Sequence, residues 1–150
     1  MPQLDLADLP ETGALLGIDP GTKTLGLAIS DGLRFTATPL QTLQRSKLKR
    51  DLEALFQIYD QRDCVGLIVG LPLNMDGSMG PRAQSVRALV RRILELRDVP
   101  PAYQDERLTT AEAERAMIEA NLSRARRKVL IDKSAAALIL QAALDRLANQ

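Results

Sequence analysis

The segment Ala14-Leu-Leu-Gly-Ile-Asp-Pro-Gly-Thr-Lys-Thr-Leu-Gly-Leu-Ala-Ile-Ser30 decides how the chain begins to fold. Ala14 to Asp19 is apolar and stops at a Pro-Gly turn, and Leu25 to Ser30 then resumes strand character. Gly32 offers a second turn before Phe35 to Leu43. The pattern predicts three short antiparallel strands in a meander. Leu48, Leu52, Leu55, Phe56 and Tyr59 follow at helical spacing and predict an amphipathic helix over roughly residues 46–61. Cys64 to Gly70 is a nearly continuous apolar run, as expected of a strand buried on both faces.

After a polar loop from Pro72 to Pro81, the residues Val86, Leu89, Val90, Ile93 and Leu96 mark a second helix, closed by Val99-Pro-Pro101. Ala102 to Glu106 reads as a short strand. Thr109 with Glu112 three residues later resembles a capping box and opens a helix to about Asn121. A final Ala/Leu-rich helix starts near Asp132. A meander followed by strand–helix alternation predicts an α/β fold with a mixed five-stranded sheet and helices on both faces. Residues 1–13 read as a loose tail, because Met1 to Glu11 is acidic and proline-bearing, and residues 14–150 as one domain.

Composition removes whole classes of chemistry. The 150 residues include no His, which excludes imidazole bases and every Ser–His or Cys–His nucleophile pair. Cys64 is the single cysteine, so neither an intrachain disulfide nor a cysteine zinc site can form, and a reducing cytoplasm is the expected setting. The apolar runs are too short to cross a bilayer, so no membrane partner is expected. With 20 Lys and Arg against 19 Asp and Glu, the chain is not a globally basic clamp. Any polyanion site must come from local clustering.

What remains is carboxylate chemistry at strand ends, where such sheets gather their functional groups. Asp19 leaves the first strand on a stiff Pro-Gly turn, a position suited either to an Asx turn or to an oxygen ligand for a hard cation. Asp105-Glu106-Arg107 closes the short strand. These three charges are either a solvated strand edge or part of a site; in the second case alternation sends the two acids to opposite faces, so one of them at most faces it, while Arg107 meets a phosphate or orients the acid. Asp132 is either a helix N-cap or a ligand. The run Arg124-Ala-Arg126-Arg127-Lys128 before it is either an ordinary solvated loop or, beside an acidic site, a local cationic patch of the kind a phosphodiester needs. Lys23 in the first turn, and Asn74, Asp76 and Arg82 in and after the long loop, complete the candidate substrate contacts. The chemistry that fits is divalent ions activating water against a phosphodiester, two ions lying roughly 3.5–4 Å apart. Such ions offset the repulsion of clustered carboxylates, which otherwise raises one pKa.

Four motifs, Gly17-Ile-Asp19-Pro-Gly-Thr-Lys23, Val69-Gly-Leu-Pro-Leu-Asn-Met-Asp76-Gly, Asp105-Glu106-Arg-Leu-Thr-Thr and Asp132-Lys-Ser-Ala-Ala-Ala-Leu-Ile-Leu-Gln, occur in order. Together they resemble the RuvX/YqgF family, over nearly the whole chain. The resemblance implies an RNase H-like fold and a cytoplasmic bacterial nuclease that matures the 5′ end of pre-16S rRNA. It also implies the older alternative, a Holliday junction resolvase. Carried over, the acidic site is Asp19, Glu106 and Asp132, binding Mg2+ or Mn2+, with Asp76 in reserve. The implied partners are precursor RNA, ribosomal precursor particles or branched DNA, met by a monomer or a homodimer. Two other readings are a non-cleaving nucleic-acid-binding module and a phosphotransferase. The first turn resembles the phosphate-gripping hairpin of actin-like and sugar kinases, which close ATP between two such domains. The length here supplies one.

Overall fold

A computed structural model describes residues 6–107 and 134–149 of the chain. The helix expected over residues 109–121, the cationic run Arg124 to Lys128 and Asp132 lie outside the described residues. The strands are β1 (Ala14–Pro20), β2 (Thr24–Ser30), β3 (Ala37–Gln44), β4 (Cys64–Leu71) and β5 (Pro101–Asp105). The described α-helices are α1 (Leu48–Gln61), α2 (Pro81–Leu96) and α3 (Ala135–Ala148). The strands form one five-stranded sheet in the order β3-β2-β1-β4-β5. β1 pairs antiparallel with β2, and β2 with β3, whereas β1–β4 and β4–β5 are parallel.

Strand alternation sorts the core into two layers. Leu16, Ile18, Leu25, Leu27, Leu67 and Val69 point to one face and pack with Leu52 and Leu55 of α1 and Val86, Val90 and Ile93 of α2. Leu15, Ala28, Ile68 and Ala102 point to the other and pack against Ile139, Leu140 and Ala143 of α3. Each fully buried Leu or Ile contributes about 1.5–3 kcal/mol of transfer free energy. The α3 face is the tighter layer. A Cβ added at Gly17 would lie 2.8 Å from the Leu140 Cβ, so the bare backbone of β1 lets the alanine-rich helix settle directly on the sheet.

Several boundaries differ from the sequence expectation, each for a local reason. α1 begins at Leu48 because the Asp51 carboxylate accepts from the Ser46 backbone N–H and hydroxyl, at 3.1 Å each, and fixes the entry. α2 begins at Pro81, whose missing N–H costs nothing in a first turn. Ser134 caps α3 by accepting from Ala137 N at 3.1 Å, filling the capping duty considered for Asp132. The tail is corrected in part. Leu6 and Leu9 are 2% and 7% exposed within the α3-side core, where Leu9 contacts the space above Gly66. Two leucines in an acidic segment outweigh its loop-like composition. Among the described residues, no helix is long and apolar enough to cross a membrane.

Candidate active site

The carboxyl ends of β1, β4 and β5 lie side by side, and the acids meet there. Asp19 is the penultimate residue of β1, opposite Gly26 of β2. The turn after it is closed by the backbone, Gly21 N donating to Thr24 O at 2.8 Å. The carboxylate is therefore not consumed as an Asx turn and is left for the site.

β5 ends at Asp105, one residue earlier than expected, and Glu106 begins a helical turn. Glu106 and Asp19 hydrogen-bond to each other through their side chains. They start two strands apart, roughly 9–10 Å at the backbone. Gly70 on the intervening strand opens the space. A Cβ there would stand 2.6 Å from Glu106 Oε1 and 2.7 Å from Ile139 Cδ1. The sequence ends β4 in Gly70-Leu71-Pro72 without an acid, and the glycine is what lets the neighbouring acid reach across.

Two carboxyls in contact at a half-buried site disfavour each other's ionisation. Burial pushes Glu106 up to about 7, and the negative charge of Asp19 adds to the effect. Asp19 is also raised by burial, opposed by the hydrogen bond from Glu106 and by the charge of Arg82. Asp105 behaves oppositely. Its ion pair with Arg107, 2.6 Å from Oδ2 to Nη2, holds its carboxyl below the usual range. The two acids thus part company at the strand end, Glu106 facing Asp19 and Asp105 bound to Arg107.

Arg107 does more than hold Asp105. Its Nη1 donates to Met75 O at 3.0 Å, tying the end of β5 to the long loop after β4. Within that loop Asp76 accepts from the Ser78 backbone and hydroxyl, at 2.9 and 2.6 Å, and Asn74 Nδ2 donates to Ser78 Oγ. Gly77 has φ +88° and permits the tight return. Asp76 thus organises the loop. Lys23 is exposed at the β1–β2 turn, and Arg82 is exposed in the first turn of α2, acting electrostatically on both acids. On the far side of Asp19, a groove of about 260 Å³ runs past Thr24, Gln41, Thr42 and Ser134. Among the described residues no group of three or more acids forms, and the two that meet are Asp19 and Glu106.

Sequence reasoning missed Arg45 and Gly70. Arg45 Nη1 donates to Gly21 O at 2.7 Å, which brings a guanidinium to the turn beside Asp19. Its signal was weak, a single arginine at a strand end.

A mixed sheet of this order is an RNase H-like fold, and an acid pair stands at its carboxyl edge. Among solved structures, Thermus thermophilus RuvC in complex with a Holliday junction substrate has a TM-score of 0.57 at 13% identity, covering 91% of this chain and 94% of that one. The yeast mitochondrial Holliday junction resolvase has a TM-score of 0.50 at 14% identity, covering 99% and 84%. At such identities these likenesses show the fold. The family described as "RuvX: Holliday junction resolvase" matches residues 13–146, and the chain belongs to this family. A relative in Cereibacter sphaeroides (strain KD131 / KCTC 12085), named "Putative pre-16S rRNA nuclease", is 56% identical over 142 residues, 95% of this chain and 89% of its own length. One of the same name in Rhodobacter capsulatus is 55% identical over 143 residues, 95% and 90%.

Proposed function

We propose that this nuclease hydrolyses a phosphodiester of precursor 16S rRNA during maturation of its 5′ end, using divalent Mg2+ or Mn2+ held by Asp19, Glu106 and Asp132. The observation that carries the metal reading is the hydrogen-bonded Asp19–Glu106 pair. Two half-buried carboxyls, opposed by one nearby arginine charge, form an oxygen-only donor set with a surplus of negative charge once deprotonated. Hard divalent ions fit such a set. When bound, they supply Lewis-acid stabilisation of the phosphoryl oxygens and a nucleophile available at neutral pH. The protein's own residues do the rest. Glu106 would give up its proton to hold a cation, Arg82 meets negative charge beside the acids, and the loop tied down by Arg107 presents Asn74 to the substrate. Arg124, Arg126, Arg127 and Lys128 supply backbone attraction, and Lys23 a contact at the turn.

The relatives' name supports precursor rRNA as substrate, and with that substrate the reading takes a ribosomal precursor particle as the setting and the cytoplasm as the place. The family description supports a second reading, cleavage of a four-way DNA junction. Symmetric resolution of a junction needs two active sites and hence a dimer, whereas trimming of single-stranded RNA needs one. The deciding experiment offers purified protein with Mn2+ a 5′-extended 16S leader RNA and a four-way junction side by side. RNA cleavage lost in Asp19→Asn supports the first reading. Paired nicks in the junction by a stable dimer support the second, and no cleavage of either overturns both.

A further inference from the structure

A second feature lies across the sheet edge from the acids. Between the β1–β2 turn and the first turns of α2 is a cleft of about 180 Å³. Its floor is apolar, built from Pro20, Val86 and Leu89, and its rim carries Arg45, Arg82 and Ser85. We infer that this cleft is a subsite for the nucleotide flanking the one cut, its phosphate held by Arg45 and Arg82 and its sugar lying on the apolar floor. The inference rests on the nuclease reading and adds a substrate contact to it.

Four observations carry it. Neither Arg45 nor Arg82 is within ion-pair distance of an acid among the described residues, whose ion pairs are Arg92–Glu95, Arg97–Asp60 and Arg107–Asp105. Arg45 spends one donor on Gly21 O, which fixes its direction and leaves the other guanidinium donors for a ligand. α2 begins at Gly80 and Pro81 with no side-chain cap, so the positive end of a 16-residue helix adds to the guanidinium charges at the rim. Position supplies the last. Pro20 lines the cleft and Asp19 precedes it, so neighbouring residues about 3.8 Å apart at Cα serve opposite sides of one strand end. Arg82 acts on both sides. A strand crossing the sheet edge therefore meets the acid pair and the cleft in succession. The apolar floor favours a nucleotide over a bare inorganic anion.

The test measures binding of a fluorescent single-stranded RNA to metal-free protein over a salt series, together with cleavage kinetics in Mn2+. Arg45→Ala weakens binding roughly tenfold and lowers the salt slope by about one. Ser85→Glu, an exposed position remote from the hydrogen bonds of the turn, places a carboxylate in the cleft and weakens binding similarly. In both, KM rises while kcat is retained, because the contact is made equally in ground and transition states. Arg92→Ala, on α2 outside the cleft, changes neither. If Arg45→Ala unfolds by circular dichroism, Ser85→Glu decides alone. Wild-type affinity, slope and KM in Ser85→Glu overturn the subsite while leaving the nuclease reading intact. A wild-type protein that neither binds nor cleaves nucleic acid overturns both.

Discussion

Burial and the neighbouring charge of Asp19 raise the Glu106 carboxyl to about 7, and this makes the site sensitive to pH near neutrality. The folded Glu106 carboxyl is raised from 4.5 to about 7, so folding favours its protonated form. The stabilisation is fully present below the unfolded value and is lost as pH rises through about 7. Thermal melts of metal-free protein are therefore expected to fall between about pH 5 and about pH 8, and Glu106→Gln to flatten that slope. Mn2+ affinity by titration calorimetry runs the other way, rising through the same interval as the proton leaves. Asp19→Asn removes a direct ligand in this reading. Cleavage is expected to drop by at least about a hundredfold, the upper cost of losing a mere supporting partner of a ligand, while the melt stays cooperative. Retained activity would release Asp19 from the role.

At the scale of elements, α3 against the glycines of the sheet is the arrangement with least tolerance. Gly17→Ala drives a methyl to 2.8 Å from Leu140 Cβ, and denaturant unfolding is expected to show a loss of about 1–3 kcal/mol. Asp51→Ala removes the carboxylate that accepts from the exposed Ser46 amide and hydroxyl at the start of α1, with an expected loss of about 0.5–1.5 kcal/mol by the same measurement. The strands and helices were legible because their apolar periods were long and clean, as in Cys64 to Leu71 and Leu48 to Gln61. The packed Leu6 and Leu9 were not, since two leucines among acids and prolines carry no period. The reach of Glu106 was not legible either. It depends on the absence of a side chain at Gly70, far back along the chain, and composition cannot pair those positions.

For the whole molecule, a formal net charge of +1 means that nucleic-acid affinity must come from where the cations lie, not how many there are. Arg126→Ala with Arg127→Ala is expected to weaken RNA binding and to lower the salt slope by roughly one for each phosphate left unneutralised. An unchanged slope in a fluorescence titration would return that run to ordinary surface. With two Phe, two Tyr and no Trp, base stacking is expected to contribute little and backbone charge to dominate binding.

The bond from Arg107 to Met75 O gives the molecule a mechanical property. Arg107 is the immediate neighbour of Glu106, so the long loop and the edge that carries the acid pair are hitched together by one guanidinium. A cargo that lifts the loop tugs on the residue beside the acid. One that leaves it seated keeps the acid in register. On the proposed nuclease reading, the seating of the loop and the placement of Glu106 are expected to change together.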